Sequence, residues 1–351
     1  MRTYKRGHPP FVMELANSKL LDAAYRWLCH QRRAWPANAD VWHLRFTWET
    51  ARPQLLAQLG AGTYCFAALD KITKANGEVV HVWGARDALV LKVLALALAP
   101  VLPVSARCTH VKGHGGAKAA LRAVRASLAA NHFVMRTDVK SYYDSIDQHR
   151  MLEKLAVYVK DRAVLNLLWQ AMRRTVTWGG LYRECPRGIS RGCPLSPLLG
   201  AFYLHELDLT MARSGLFYVR FMDDILVLAP THWKLRRGVA TVNQQLAALG
   251  LAQHPDKTFI GRIAHGFDFL GYHFSPQGLT LAAQTRANFV ARYTRLYEQS
   301  RHTPEGLRWA WEYVRRWWRW VQGGLGGDAP RWVNAGQPHA SSPITRATGG
   351  G

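Results

Sequence analysis

Phe217-Tyr-Val-Arg-Phe-Met-Asp-Asp-Ile-Leu-Val-Leu-Ala229 decides the fold. Two runs rich in β-branched and aromatic residues, Phe217–Phe221 and Ile225–Ala229, flank Met222, Asp223 and Asp224. The stretch reads as a β-hairpin with an acidic pair at its turn. Upstream, the apolar run His132–Val139 reads as a further strand with Asp138 near its end. Three carboxylates therefore fall at strand ends that one sheet can bring together.

The flanking segments extend this sheet into an α+β pattern. A helix is expected from about Asp147 to Thr175. Ser196-Pro197 reads as an N-cap and first-turn proline opening a helix to about Met211. Thr231 caps a helix with Leu235, Val239, Val242, Leu246 and Leu249 on one face, closed by Gly250. Phe267–Phe274 reads as one strand. Strand, helix, hairpin, helix and strand predict a sheet with helices packed on one side. Further upstream, Leu20–Leu59 is mostly helical and stops at Gly60 and Gly62. Tyr64–Ile72 and Val79–Val82 read as strands around the Asn76-Gly77 turn dipeptide, and Asp87–Leu98 as a buried helix stopped by Pro100. Lys112-Gly113-His114-Gly115-Gly116 opens a helix with Lys118, Arg122 and Arg125 on one face and Leu121, Val124 and Leu128 on the other. Free amides and cations at that helix start suit a phosphate chain, although a solvated face explains them equally well and the spacing is not that of a Walker A loop.

Composition narrows the partners. The 351 residues carry 46 Lys+Arg against 23 Asp+Glu, a formal charge of +23, and 48% are hydrophobic. That is too much apolar material for a disordered basic tail, and the positive excess suits a polyanion such as nucleic acid. The longest apolar stretch, Val93–Leu102, contains Pro100 and is too short to span a bilayer, so no membrane partner is expected. The N-terminus does not read as a secretory signal, and a cytoplasmic location is expected. Five cysteines without a Cys-x-x-Cys pair fit reduced thiols. Cys108, His110 and His114 lie close together but lack a fourth ligand at zinc spacing. From Leu281 onward the chain is helical and basic. Six of its 14 tryptophans fall between Trp309 and Trp332, interleaved with Arg315, Arg316 and Arg319. Core packing is expected for most of these rings and backbone contact for the arginines.

Carboxylates on adjacent strand ends are what two-metal nucleotidyl transfer requires: they hold two divalent cations about 4 Å apart, one at the attacking 3′-hydroxyl and one at the leaving pyrophosphate. Mg²⁺ suits such a site, with Mn²⁺ as its alternative. An isolated Asp-Asp is weak evidence, since such pairs are common in turns. The blocks around it are more specific: Arg136-Thr-Asp-Val-Lys-Ser-Tyr-Tyr-Asp-Ser-Ile-Asp147, Gly188-Ile-Ser-Arg-Gly-Cys-Pro-Leu-Ser-Pro-Leu-Leu199, Phe221-Met-Asp-Asp224, Pro255-Asp-Lys-Thr258 and Phe269-Leu-Gly-Tyr272. In this order they resemble the palm motifs of reverse transcriptases, most closely the bacterial group II intron and diversity-generating retroelement types. Leu55–Tyr64, Arg86–Pro100 and Thr109–Val124 resemble the fingers of the same lineage.

The resemblance implies a right-hand polymerase: an N-terminal helical extension over 1–44, fingers and a palm with an antiparallel sheet over 45–275, a helical basic thumb over 276–325 and a flexible tail over 326–351. It implies Asp138, Asp223 and Asp224 as catalytic metal ligands and Lys257 as the general acid that protonates pyrophosphate. Tyr143 falls on the steric-gate position that excludes a ribose 2′-hydroxyl. Val139, Arg191, Gly192 and Met222 fall at the nucleotide pocket, Phe269, Leu270 and Gly271 at the primer grip. Lys112, Lys118, Arg122 and Arg125 would meet nucleic acid. The sequence departs from the family at Ser190-Arg191-Gly192, where Pro-Gln-Gly is usual, and at Phe221, where Tyr is commoner. The fingers arginine that holds the triphosphate aligns near Glu78, leaving Lys71 or Lys74 as substitutes. The expected activity is RNA-directed DNA synthesis from dNTPs on an RNA template and DNA primer, with an accessory protein as a further partner. A maturase-like RNA chaperone and a template-independent or protein-primed polymerase of a defence system are the alternatives.

Overall fold

Apolar residues at helical spacing organise the start of the chain. The computed structural model describes residues 14–73, 77 and 79–326. These form two compact units, one ending at His265 and one beginning at Gly266. In the first unit Asn17 caps a helix, Ser18–Gln31, by accepting from the Lys19 N–H at 2.8 Å, and Leu21, Ala24 and Leu28 are its buried stripe. Helices Asp40–Phe46 and Trp48–Ala61 follow. Gly62, at φ +67°, supplies the left-handed stop, while Gly60 lies inside the helix.

β1 (Asp70–Thr73) and β2 (Val79–Val82) pair antiparallel, with Asp70 opposite Val82. β1 begins later than the expected Tyr64. The Tyr64 hydroxyl donates to buried Asp87 at 2.6 Å and the Ala67 N–H donates to the other carboxylate oxygen at 3.1 Å, so side-chain bonds hold this segment instead of a ladder. Asn76 and Glu78 lie outside the described residues. The helix Ala85–Leu98 is buried on nearly every face and forms the centre of this part of the core.

Helix Gly116–Ser127 leads to β3 (Phe133–Thr137), then to a short helix, Tyr142–Ser145. The single helix expected over 147–175 is two, Gln148–Tyr158 and Arg162–Arg173. The break falls where Asp161 caps the second by accepting from the Ala163 and Val164 N–H groups. The chain then enters a hairpin absent from the sequence reading, β4 (Thr175–Trp178), whose Val176 is buried, and the exposed β5 (Leu181–Glu184), turned by Gly179-Gly180. The helix expected over 196–211 is also two, Ser196–Tyr203 and His205–Arg213. Ser196 is not its cap, because its buried hydroxyl donates to the Ser190 carbonyl at 2.6 Å.

β6 (Phe217–Phe221) and β7 (Asp224–Ala229) form the expected hairpin, helix His232–Ala248 starts at the Thr231 cap, and β8 (Phe259–Arg262) completes a sheet of order β6-β7-β3-β8. Every pairing in it is antiparallel. Ile225–Ala229 are all buried, as are Tyr218, Val219 and Arg220. Both faces of the sheet are therefore covered at its centre, which corrects the expected one-sided packing.

In the second unit the block read as one strand over 267–274 is a hairpin. β9 (Phe267–Phe269) and β10 (Tyr272–Ser275) pair around Leu270 and Gly271, at φ +48° and +85°, and β11 (Gly278–Leu281) extends the sheet. A leucine gives no signal of left-handed backbone, so the turn was hidden. Helices Ala283–Ser300 and Pro304–Leu325 follow. Phe289 stacks on Trp317 with centroids 3.8 Å apart, and the Tyr272 hydroxyl donates to the Trp320 carbonyl at 2.9 Å. Trp309 and Trp311 are exposed, Trp320 sits at the exposed margin, and Trp317 and Trp318 are half-buried, so core packing does not hold for most of the rings. Trp332 and the tail from 327 lie outside the described residues. No helix among the described residues is long and apolar enough to cross a membrane.

One glycine tests the packing of the loop that precedes Ser196. Gly188 has φ +74°, and a Cβ there would lie 2.6 Å from the Tyr143 carbonyl oxygen and 2.7 Å from the Asp144 Cα. Gly192 has the same φ with open space around it. Gly188→Ala is expected to lower unfolding free energy by about 2–4 kcal/mol and Gly192→Ala by only about 1–2 kcal/mol. Equal denaturant midpoints for the two variants would contradict this packing.

Candidate active site

Strand register brings the acids together. Thr137 of β3 lies opposite Ile225 of β7, and one further step puts Asp138 opposite Asp224, the first residue of β7. Asp223 occupies the hairpin tip beside it. Beyond β3 the chain stays extended because the His254 N–H donates to the Asp138 carbonyl at 2.7 Å and the Lys140 N–H to the Ala252 carbonyl at 2.9 Å. A single 3₁₀ turn, Pro255–Lys257, then brings Lys257 back toward the acids. Arg136 donates to the Lys257 carbonyl at 3.1 Å, and the Lys257 Nζ donates to Asp138 Oδ2 at 2.5 Å.

Burial sets the electrostatics of this cluster. It pushes Asp223 up to about 7, with a hydrogen bond to Asp138 and that residue's charge adding to the effect. Burial, then the charge of Asp138, pushes Asp224 up to about 6. The Lys257 ammonium is held above its ordinary range, first by its hydrogen bond to Asp138. Carboxyls that keep protons near neutral pH beside one another mark a site with too little positive charge. Oxygen donors in contact fit a hard divalent cation, which takes one or two carboxylates and completes its shell from substrate phosphates and water. No three His, Cys, Asp or Glu side chains among the described residues converge as a ready-made metal cage.

A cleft of about 450 Å³ opens on these acids, lined by Asp138, Val139, Tyr143, Arg191, Asp223 and Lys257 from the expected set, with His254 and Ser141 added. Tyr143 packs at 5.5 Å from Tyr142, and burial followed by the nearby Asp223 charge pushes its phenol up to about 12. Gly200 makes room for this ring, since a Cβ there would sit 3.2 Å from Tyr143 Cε1. Arg191 pairs with exposed Asp144 and also lines a second cavity of about 630 Å³, which Gly192, Trp83 and Arg174 share.

Other expected residues lie elsewhere. Asp224 and Met222 do not line the cleft, and Met222 is half-buried in the turn. Lys71 sits on β1 opposite His81 and lines neither cavity. Lys74 is outside the described residues. Lys112, Lys118, Arg122 and Arg125 are exposed on and before helix Gly116–Ser127, whose Leu121 and Val124 are buried, as the helical spacing requires. In the second unit Phe269 is buried, Leu270 and Gly271 form the β9–β10 turn, and Arg315, Arg316 and Arg319 are exposed.

The sequence reading missed what supports the hairpin. Arg220 and Asp208 are fully buried, with Nε donating to Oδ1 at 2.8 Å and Nη2 lying 2.5 Å from Oδ2. The Tyr218 hydroxyl also donates to Asp208, at 2.7 Å. Arg220 Nη1 donates to the Met222 carbonyl at 2.7 Å. An arginine between Val219 and Phe221 in a buried strand was the available signal, because a buried guanidinium requires a partner. His110 is the second omission: the Met222 N–H donates to its Nδ1 at 3.0 Å. His114 Nδ1 meets the Cys108 carbonyl at 2.8 Å and the Cys108 Sγ lies 3.3 Å from His110 Nδ1, so both histidines of that group are bonded to backbone and the thiol is turned to His110.

Comparison with known proteins gives the chain a family. A family model described as reverse transcriptase (RNA-dependent DNA polymerase) matches residues 92–274. Protein YkfC of Escherichia coli (strain K12) is 23% identical over 297 residues, covering 67% of this chain and 76% of that protein. The group II intron-encoded protein LtrA of Lactococcus lactis subsp. cremoris is 24% identical over 203 residues, covering 56% of this chain and 34% of that protein. An uncharacterized 91 kDa protein in the cob intron of Schizosaccharomyces pombe is 26% identical over 141 residues, covering 39% of this chain and 18% of that protein. With the family model spanning half the chain and Asp138, Asp223, Lys257 and Tyr143 falling in one cleft inside that span, the chain belongs to the reverse transcriptase family of RNA-directed DNA polymerases, with its likeness to the group II intron type.

Proposed function

We propose that this chain extends a DNA primer with dNTPs on an RNA template by two-metal nucleotidyl transfer, with Mg²⁺ as the ion and Mn²⁺ as its substitute, through a hand of fingers, palm and helical thumb. The observation that carries the reading is the convergence of Asp138, Asp223, Lys257 and Tyr143 on one cleft. Asp138 and Asp223 are the carboxylates that would hold the ions, with Asp224 contributing charge from behind. When bound, the ions supply Lewis-acid stabilisation of phosphoryl charge and make the 3′-hydroxyl more acidic.

The chain's own residues divide the remaining work. Lys257, more than half exposed and hydrogen-bonded to Asp138, carries a proton at neutral pH and is placed to give it to pyrophosphate. The Tyr143 ring, backed by Tyr142 and Gly200, is a rigid wall against which a ribose 2′-hydroxyl collides. Arg191, in an exposed pair with Asp144, is free to exchange that partner for a triphosphate or a template base. The exposed cations of helix Gly116–Ser127 suit the phosphates of an RNA strand. The primer grip is proposed at Phe269–Gly271 and thumb contact at Arg315, Arg316 and Arg319.

Primer extension on poly(rA)/oligo(dT) with Mg²⁺ tests the reading. Asp223→Ala is expected to reduce the rate by about 10³-fold or more, the equivalent of several kcal/mol of transition-state stabilisation. A variant that extends as well as the native chain would falsify the metal-site assignment. Tyr143→Ala is expected to raise incorporation of ribonucleotides relative to deoxyribonucleotides by about 10–100-fold; an unchanged ratio would remove Tyr143 from the gate.

Stability against pH gives a separate check on the acids. Asp223 and Asp224 bind protons more tightly in the folded chain than in the unfolded one. Their stabilising contribution is complete below about pH 4 and is lost as pH rises through about 6–7. Without divalent ions at pH 8, Asp223→Asn should therefore be more stable than the native chain, on the order of 1 kcal/mol, and the gain should vanish near pH 4. Chemical denaturation in chelator at both pH values measures it, and a destabilised Asn variant at pH 8 would contradict the burial argument.

A further inference from the structure

The acidic turn is gripped on both sides of one residue, through the two peptides that flank it. Met222 stands at φ +57°, a conformation that L residues adopt only when their surroundings enforce it. Its carbonyl accepts from Arg220 Nη1 at 2.7 Å, and its N–H donates to His110 Nδ1 at 3.0 Å. His110 Nε2 lies 3.0 Å from the Pro197 carbonyl, which can only accept. The Cys108 Sγ also lies 3.3 Å from Nδ1, where its S–H can donate, and the two backbone partners assign the proton: Nε2 carries it and Nδ1 accepts. Burial lowers the tendency of His110 to take a second proton, although the carbonyl of Pro197 favours it; Arg220 and His114 oppose it and Asp208 supports it.

Each anchor belongs to a different part of the first unit. Pro197 lies in the first turn of helix Ser196–Tyr203, the helix whose Gly200 accommodates Tyr143. Asp208 lies on helix His205–Arg213, and Arg220 Nη2 also donates to the Ala201 carbonyl at 3.1 Å. His110 comes from the loop preceding helix Gly116–Ser127, where the Thr109 N–H donates to the Arg220 carbonyl at 2.9 Å. The turn is therefore referenced to the same helix that backs the Tyr143 ring.

We propose that His110, as the neutral Nε2–H tautomer, and the buried Arg220–Asp208 pair are positioning residues that hold the Met222-Asp223 turn in register with the nucleotide cleft. The proposal rests on the reading of Asp223 as a ligand of the polymerase centre. None of the three lines the cleft; His110 and Arg220 act through the N–H and carbonyl of Met222, and Asp208 acts through Arg220.

Single-turnover nucleotide addition by the full chain separates positioning from binding. His110→Ala is expected to slow the addition step by about 10–100-fold, the range that misplacement by about 1 Å produces, with the dNTP dissociation constant within about 3-fold of native. His110→Gln, whose amide can accept from Met222 and donate to Pro197, should recover most of that loss. Long-range ¹H–¹⁵N correlation spectra of histidine-labelled protein should show one ring, absent from His110→Ala, as the neutral Nε2–H tautomer throughout the assay range. A native addition rate in His110→Ala would overturn the proposal, as would a charged or Nδ1–H ring or a Gln variant no better than Ala. If His110→Ala does not fold, the Gln variant and the spectrum decide alone. Asp223→Ala distinguishes the two levels: an active Asp223→Ala defeats the parent reading, whereas an inactive Asp223→Ala beside a fully active His110→Ala defeats only this one.

Discussion

The buried pair of Arg220 and Asp208 is the constraint on which the first unit's architecture turns. Both side chains are wholly removed from water. Removing an ion from water costs several kcal/mol even after relaxation, and only close, fully hydrogen-bonded geometry offsets it. Arg220 meets this condition by spreading its donors over Asp208, the Met222 carbonyl and the Ala201 carbonyl. Strand, turn and two helices are thereby tied to one guanidinium. A shift in any of them would leave a buried charge without its partner, so the pair penalises displaced arrangements more than it deepens the native one.

One strained backbone position, Met222, falls where this constraint is felt. Among the described residues, the non-glycine positions with positive φ are Ser141, Met222 and Leu270. Each lies in one of the blocks that carry the family resemblance: beside the Tyr142-Tyr143 pair, in the acidic turn, and at the β9–β10 turn. Left-handed conformations cost an L residue about 1–2 kcal/mol each and persist only where surroundings determine them. For Met222 the determining contacts are visible, one on its N–H and one on its carbonyl.

The parts of the site legible in the sequence were those whose chemistry is local to a block. Asp138, Tyr143, Asp223 and Lys257 could be placed because each sits in a short run of characteristic residues at a strand end or turn, and they meet at one cleft. Antiparallel pairing also followed from the apolar runs and the acidic turn. What could not be read were bonds between distant segments. His110 and Met222, or Asp208 and Arg220, are joined by tertiary packing that no local spacing encodes. The β4–β5 hairpin escaped notice because β5 is exposed at every position, so it lacks the alternation that marks a half-buried strand. The split of 267–274 escaped notice because leucine conceals a left-handed turn.

Net charge and local charge then act on different scales. The chain carries +23, yet Asp223 and Asp224 are shifted up, in the direction opposite to what a basic protein would impose if its charges acted on them uniformly. Screening explains the difference: at physiological ionic strength a surface charge is muted beyond about 8 Å, so the general excess is felt by an approaching polyanion more than by a buried acid. Arg136 and Lys257 are the cations close enough to lower Asp224, and burial outweighs them. For Asp223 the order is the same, with burial first and Asp138 adding to it. The low polarity that makes these carboxylates hold protons also strengthens every attraction to a cation placed among them. Under the proposed function, a site poor in positive charge inside a protein rich in it is the arrangement that would attract nucleic acid from a distance and bind a small, doubly charged ion at contact.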